Sequence, residues 1–202
     1  MHAVRQAVSD LTESDLRAMR FKDLMALFGK LPAPSMQDMD GEFAAGLLAQ
    51  PNAVAQVIGH LTVNNPLMPG RWLCKAFKPV SADRGQGYNS FAHLGRTVRR
   101  YPMQTLIAPS RYDGRPAYTL VYAAFSSMCG AIHMVDEVRR VAPGLYLGIG
   151  TWGFTDGQRQ VPLPFVLRGP IAPYAGHIGR AKKGFNVHQE IPALRQPIQQ
   201  KG

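Results

Sequence analysis

Two Asp-Gly pairs, Asp113-Gly114 and Asp156-Gly157, stand between runs of strand-forming residues and narrow most sharply what this chain can fold into. Asp-Gly supplies the positive-φ residues of a two-residue hairpin, so Leu106–Arg111 and Ala117–Phe125 are expected to be antiparallel neighbours, as are Leu145–Phe154 and Val161–Leu167. From Pro66 onward, as far as residue 168, the apolar period is strand-like. Candidate strands fall at 71–79, 86–94, 96–101, 103–111, 116–126, 131–141, 144–154 and 159–168. No helical pattern of a dozen residues separates them, which argues against a parallel βαβ sheet and its dinucleotide site. The expected fold is mainly β, an eight-stranded antiparallel lipocalin-like barrel able to hold one molecule, with N-terminal helices. The 20 Gly and 16 Pro suit its many turns.

Before Pro66 the period is helical. Thr12-Glu-Ser-Asp15 and Ser35-Met-Gln-Asp38 have capping-box spacing, with Asp in place of Glu. The first box precedes Leu16, Met19, Leu24, Leu27 and Phe28, with Gly29 and Pro32 as the stop. The second precedes a stripe of Phe43, Ala44, Leu47 and Leu48 that ends before Pro51, and a weaker helical segment runs from Ala53 to Leu61. Residues 1–66 thus read as a helical segment packed on a barrel at 67–168. Residues 169–202 read as a basic extended tail, crossing the barrel through Ile171, Tyr174, Ile178 and Phe185 and mobile beyond about Pro192.

Charge divides along the chain. Residues 1–66 carry five basic and seven acidic side chains, and residues 67–202 carry 18 basic and six acidic, a balance of −2 against +12. Such a field attracts anionic small molecules, acidic partners, nucleic acid or anionic lipid without choosing among them. Arg180-Ala-Lys182-Lys183-Gly-Phe185 is a short phosphate-gripping patch, but no nucleic-acid module accompanies it and direct nucleic-acid binding is not expected. With only Cys74 and Cys129, no signal-peptide pattern and no apolar run near the roughly 20 residues of a membrane span, the expectation is a cytoplasmic protein with reduced thiols and no transmembrane segment.

Residues able to carry chemistry concentrate in the second half of the barrel. Asp136-Glu137-Val-Arg139-Arg140 gives each strand face one carboxylate and one guanidinium two residues apart, either a rim salt-bridge network or an inward polar anchor. An inward Asp136 or Glu137 would act as general acid or base, with Tyr122 as a hydroxyl donor. On the neighbouring runs Tyr118 and Tyr122 share one face, and Tyr146, Gly148, Gly150 and Trp152 another. The glycines leave a hollow that would either take a ligand ring or bend the barrel wall. Asn89, Phe91 and His93 share a face, and Trp72, Asn89, His93, Tyr118, Tyr122, Arg139, Tyr146 and Trp152 are the candidate ligand contacts. Both faces of 117–126 are apolar enough to be covered, one inside the barrel and one by the helices or a partner subunit. The six histidines and two cysteines show no metal-ligand spacing, Ser110, Ser126 and Ser127 lack a nucleophile elbow, and Gly85-Gln-Gly87 lacks the helix of a phosphate loop. No metal or cofactor is expected.

Four segments, Trp72-Leu-Cys-Lys75-Ala-Phe77, Tyr88-Asn89, Tyr112-Asp113-Gly114-Arg115-Pro-Ala117 and Asp136-Glu137-Val-Arg139…Pro143-Gly144-Leu145-Tyr146-Leu147-Gly148, resemble those of a group of small, largely uncharacterised bacterial proteins. Cys74 stands where that group has glycine, and Val138 where it has isoleucine. The resemblance spans roughly residues 70–168, implies a lipocalin-like (calycin-like) barrel and brings no catalytic residues with it. The leading expectation is binding of a hydrophobic or amphipathic, possibly anionic, small molecule, with Arg139 or Glu137 orienting its polar end. A cofactor-independent isomerase, cyclase or hydratase in the same cavity is the alternative. A homodimer or hetero-complex formed through the barrel exterior and N-terminal helices is a third class.

Overall fold

In the computed structural model, which describes residues 10–176 and 178–194, the strand-like half of the chain closes on itself. The strands are β1 (Gly41–Leu47), β2 (Asn64–Asn65), β3 (Gly70–Pro79), β4 (Arg84–His93), β5 (Arg96–Pro109), β6 (Pro116–Val121), β7 (Val135–Ala142), β8 (Leu145–Gly150) and β9 (Leu163–Ala172). Strands β3 to β9 form an antiparallel meander, and β1 seals it by pairing with both β9 and β3. Eight strands therefore make the barrel, and the two-residue β2 hangs outside on β3. The short helices are α1 (Glu13–Ala18), α2 (Phe21–Phe28), α3 (Ala53–Val63) and α4 (Met128–Ala131).

The stripe at 43–48 expected to be helical is instead β1. The capping box before it does form, with Ser35 N–H donating to Asp38 Oδ2 (2.9 Å) and Asp38 N–H to Ser35 Oγ (3.1 Å), but it closes only a turn. Phe43, Ala45 and Leu47 also alternate, and hydrogen bonds to two neighbouring strands outweigh a helical stripe of four apolar residues. The first capping box works as expected on Thr12 and Asp15, but its helix stops at Ala18, Met19 is extended, and a second helix restarts at Phe21. In the barrel, the runs 96–101 and 103–111 are one strand, β5, kinked where Tyr101 takes φ 55°. Seven strands thus come from eight runs, and β1 supplies the eighth.

The Asp-Gly pairs mark antiparallel neighbours but not two-residue hairpins. Asp113-Gly114 lies in a six-residue connection closed by Ser110 N–H to Arg115 O (2.8 Å), and Asp156-Gly157 lies inside the longer β8–β9 loop. Two-residue turns fall instead at Pro143-Gly144 and at Leu94-Gly95; both residues of the second have positive φ, and leucine gives no local signal for it.

One half of the barrel is filled by Phe43, Phe77, Met103, Tyr118, Tyr146 and Leu167, with Met36 and Met39 packed against them. Outside, Leu16, Leu24 and Phe28 cover Leu145, Leu147, Ile149 and Val166. Both faces of β6 are buried; its outer Val121 is covered by Val187 and Ile191 of the C-terminal segment rather than by the helices. Tyr174 packs on Tyr88 and Phe185 joins the Val187 cluster, whereas Ile171 stays half exposed. The chain beyond Leu194, expected to be mobile, lies outside the described residues, as do His2 and His177.

The hollow expected over Gly148 is occupied from within the protein. A Cβ there would fall 2.1 Å from Cζ of Phe165, so the glycine makes room for that ring. Gly148→Ala is expected to lower unfolding free energy by about 1–3 kcal/mol through overpacking. Urea denaturation of Gly148→Ala, and of Gly148→Ala combined with Phe165→Leu, checks this: the second change should recover much of the loss.

Candidate functional site

Beyond the packed half the barrel is hollow. A cavity of about 340 Å³ reaches from the middle of the barrel to the end where α3 and the 151–162 loop lie. Its wall is largely apolar, including Leu47, Phe91, Ile132, Leu163 and Phe165, and its rim includes Ile58, Trp152 and Phe154.

At one wall of the cavity stands a buried polar cluster built from four strands. Lys75 on β3 lies directly across from Asn89 on β4, Tyr122 follows the last residue of β6, and Asp136 is the second residue of β7. Lys75 Nζ donates to Asn89 Oδ1 (3.1 Å), Tyr122 OH (2.5 Å) and Asp136 Oδ2 (2.9 Å), which uses all three ammonium hydrogens. Tyr122 OH donates to Asp136 Oδ2 (2.9 Å), Asn89 Nδ2 donates to Tyr122 OH (3.3 Å), and Trp72 Nε1 donates to Asn89 Oδ1 (3.2 Å). The rings of Trp72, Tyr122 and Phe165 surround the ammonium at 5.2–5.3 Å. Trp72 and Lys75 have opposite strand parity and both reach the cavity because a bulge between Trp72 and Cys74 restores the phase.

The ion pair is almost solvent-free, with side-chain exposures of 4% for Lys75 and 3% for Asp136. Burial of two charges is tolerable only where each is paired and its remaining valences are met, and here one valence is not: Asp136 Oδ1 is buried with no hydrogen-bond partner. It lies against Gly150, where a Cβ would stand 3.3 Å from it. Burial, and then the Asp136 charge, push the Tyr122 hydroxyl well above its ordinary pKa. Burial likewise pushes the Cys129 thiol, on the cavity wall, up to about 12, so both remain protonated at neutral pH.

Five of the residues singled out in the sequence meet here: Trp72, Asn89, Tyr122, Asp136 and Trp152. Tyr118 and Tyr146 point inward but belong to the packed half, the first donating to Thr105 Oγ1 (2.8 Å) and the second to the Asp38 carbonyl (3.4 Å). His93 lies on β4 beyond Phe91 and does not line the cavity. Glu137 and Arg139 face out of the barrel. Glu137 accepts from Ser110 Oγ, Arg111 N–H (3.0 Å) and Arg111 Nε (3.1 Å). Arg139, fully buried, grips both carboxylate oxygens of Asp113 (2.7 and 2.6 Å), donates to the Phe28 carbonyl (2.8 Å) and lies over the Phe28 ring. It ties the β5–β6 connection to α2. The pairs expected along the strand are absent: Asp136 binds Lys75, Glu137 binds Arg111, and Arg140 approaches Asp38 at 3.6 Å.

Lys75 and Gln50 line the cavity without having been singled out. Lys75 carried one legible signal, a lone charge inside the otherwise apolar run Trp72–Phe77. Gln50 carried none. Its Nε2 donates to the carbonyls of Leu48 (2.8 Å) and Pro164 (2.9 Å), a role that depends on β1 meeting β9.

Among the described residues no group of three or more His, Cys, Asp or Glu side chains is placed to hold a metal ion, and no helix is long and apolar enough to cross a membrane. No family model matches the chain, and no curated protein matches it. A solved structure of a protein from Thermomonospora curvata is similar in fold, with TM-score 0.53 and 16% identity over 83% of this chain and 98% of that one. At that identity the likeness concerns the fold alone, which in this chain is a closed eight-stranded antiparallel barrel with one outer strand and a few short helices.

Two outcomes follow from the charges. Lys75→Met should cost about 3–5 kcal/mol by stranding a buried carboxylate, and Lys75→Met with Asp136→Leu should recover most of it; a urea double-mutant cycle measures the coupling. The Arg139 guanidinium holds the Asp113 carboxyl below its ordinary pKa. A depressed folded pKa gives stability that is complete above about pH 4 and is lost as pH falls through the folded value. Asp113→Asn should therefore be less stable than the parent at pH 7 and show a smaller loss on acidification to about pH 3 in the same assay.

Proposed function

We propose that the protein binds one mainly apolar small molecule in the barrel cavity, as in a lipocalin-like binder. One observation carries the reading: the interior is packed solid in one half and hollow in the other, and the Lys75–Tyr122–Asp136–Asn89 cluster lies on the wall of the hollow half. The cavity volume is within the roughly 300–1,000 Å³ of small-molecule sites, and apolar walls with few converging polar groups are their usual chemistry. Trp72 and Trp152 would supply flat apolar contact, and the polar cluster would orient a head group.

A second reading is favoured by a separate feature. Asp136 presents one carboxylate oxygen fixed by Lys75 and Tyr122 and one without a partner, the arrangement of a general base beside a hydroxyl donor. A cofactor-independent proton-transfer enzyme would use Asp136 on the substrate and Tyr122 at a developing oxyanion.

N-phenyl-1-naphthylamine, whose emission rises and shifts to the blue in apolar sites, should bind saturably at one site per chain. Leu163→Trp, which fills the hollow, should weaken it by about tenfold or more. Absence of any spectral change up to the solubility of the probe would sink the binding reading. Turnover of a bound compound that is lost in Asp136→Asn while its binding survives would select the catalytic one.

A further inference from the structure

Helix α3 packs on the barrel with its small residues and turns its large apolar ones to solvent. Ala55 and Gly59 are its buried positions, and a Cβ on Gly59 would stand 3.5 Å from Leu47 Cδ1. Val54, Val57, Ile58 and Leu61, at i, i+3, i+4 and i+7, form a stripe that stays exposed, by 67%, 58%, 37% and 61%. An apolar stripe on a surface helix ordinarily faces the core; here it does the reverse. Ile58, Gly59 and Thr62 line the cavity, which places the stripe beside its mouth. The same end of the barrel is formed by the approach to β3, the β4–β5 turn, the segment between β6 and β7 and the β8–β9 loop. Further apolar tips stand on it, all exposed: Leu67 and Met68 before β3, Leu94 in the turn, Met128 on α4 and Phe154 in the loop.

Charge divides along the same axis. At the packed end Asp38, Asp40 and Asp83 meet Arg140, Lys78 and Arg84, so the two signs are mixed there. At the open end Arg71 and Arg96 flank β4 at Ala92 and His93. Arg180, Lys182 and Lys183 are brought beside α4 by the Lys182 N–H, which donates to the Ala124 carbonyl (2.8 Å). All five of these basic side chains are exposed. Neither Asp nor Glu occurs in 51–71, 93–104 or 122–134. Asp156 and Glu190 reach this end already paired with Arg159 and His133. The α3 helix carries neither Lys nor Arg, so the cations around its stripe come from neighbouring segments.

Apolar side chains at the tips of several elements, with cations among them around the mouth of an apolar cavity, complement a bilayer with anionic headgroups in both respects. A second copy seated face to face would instead set like charges against each other. We propose that the open end of the barrel docks on anionic lipid bilayers. The α3 stripe, Leu67, Leu94 and Phe154 enter the boundary between headgroups and acyl chains, and the basic side chains lie on lipid phosphates. At 11 residues α3 lies on the bilayer and does not span it. The cavity mouth then faces the acyl layer. Docking stands without an occupied cavity; passage of an apolar molecule from bilayer to barrel rests on the binding reading above.

The test is co-sedimentation of the full chain with sucrose-loaded vesicles of phosphatidylcholine, with and without phosphatidylglycerol. The expected result is partition onto the mixed vesicles about tenfold or more above that onto phosphatidylcholine alone. Val57→Ser with Leu61→Ser leaves the net charge unchanged and should weaken partition by about tenfold or more. Val80→Ser with Ile171→Ser, equally neutral and at the packed end, should change it by less than about twofold. Lys182→Gln with Lys183→Gln should weaken it by about tenfold. All six side chains are exposed, and circular dichroism verifies that each variant folds. The proposal is overturned by no partition onto the mixed vesicles, by equal losses in the two serine pairs, or by no loss in the glutamine pair. It is also overturned by a two-chain mass in light scattering that falls to one chain in the Val57–Leu61 pair, since the stripe is then a contact between copies. Binding of N-phenyl-1-naphthylamine without vesicles reads the cavity alone, so failure of the binding reading and failure of docking show in different assays.

Discussion

The Lys75–Asp136 ion pair is the constraint on which the interior of this barrel depends. A lysine and an aspartate, each almost without solvent, survive inside an apolar barrel because every ammonium hydrogen has an acceptor and three aromatic rings surround the cation. The pair draws β3, β4, β6 and β7 to one point; Asn89 is the register partner of Lys75, and the bulge in β3 sets Trp72 in phase with it. Without the pair, the same volume would be a void or would need apolar packing like the other half. Electrostatics on the wall and emptiness in the lumen are therefore two sides of one arrangement.

A different chemistry holds the outside. Glu137 and Arg139 alternate with Asp136 on β7, so they leave the barrel where Asp136 enters it. Arg111 straps Glu137 to the β5–β6 connection, and Arg139 joins that connection to α2 through Asp113 and the Phe28 carbonyl. These buried charges fasten the covering layer and do not meet the cavity. One strand thus carries an inward ion pair at Asp136 and outward ones at Glu137 and Arg139, with different tasks and separated by nothing more than side-chain parity.

How far the site could be read in advance follows from where each signal lies. Asp136, Tyr122, Trp152 and the alternation of charges on β7 are local, because parity along one strand is enough to place them on a face. Which face was inside was not local, and it separated Asp136 from Glu137. Lys75 stood out only as a charge in an apolar run, and Gln50 had no mark at all, because its partners are carbonyls 2 and 114 residues away in sequence. The glycines at 148 and 150 showed that space was needed; the structure fills it with the Phe165 ring in one case and the Asp136 carboxylate in the other.

The sequence by itself determined the antiparallel barrel, since the period of two from Pro66 onward and the turn residues between runs leave few other ways to bury alternating faces. It also determined both capping boxes, which are contacts between residues three apart. Tertiary structure decided that the second box leads into β1 and not a helix, because the gap between β3 and β9 satisfies more backbone hydrogen bonds than an isolated turn of helix does. Tertiary structure also decided which carboxylate became part of a cavity. Asp136 meets Lys75 across 61 residues of chain, a contact that exists only once the strands have closed on one another.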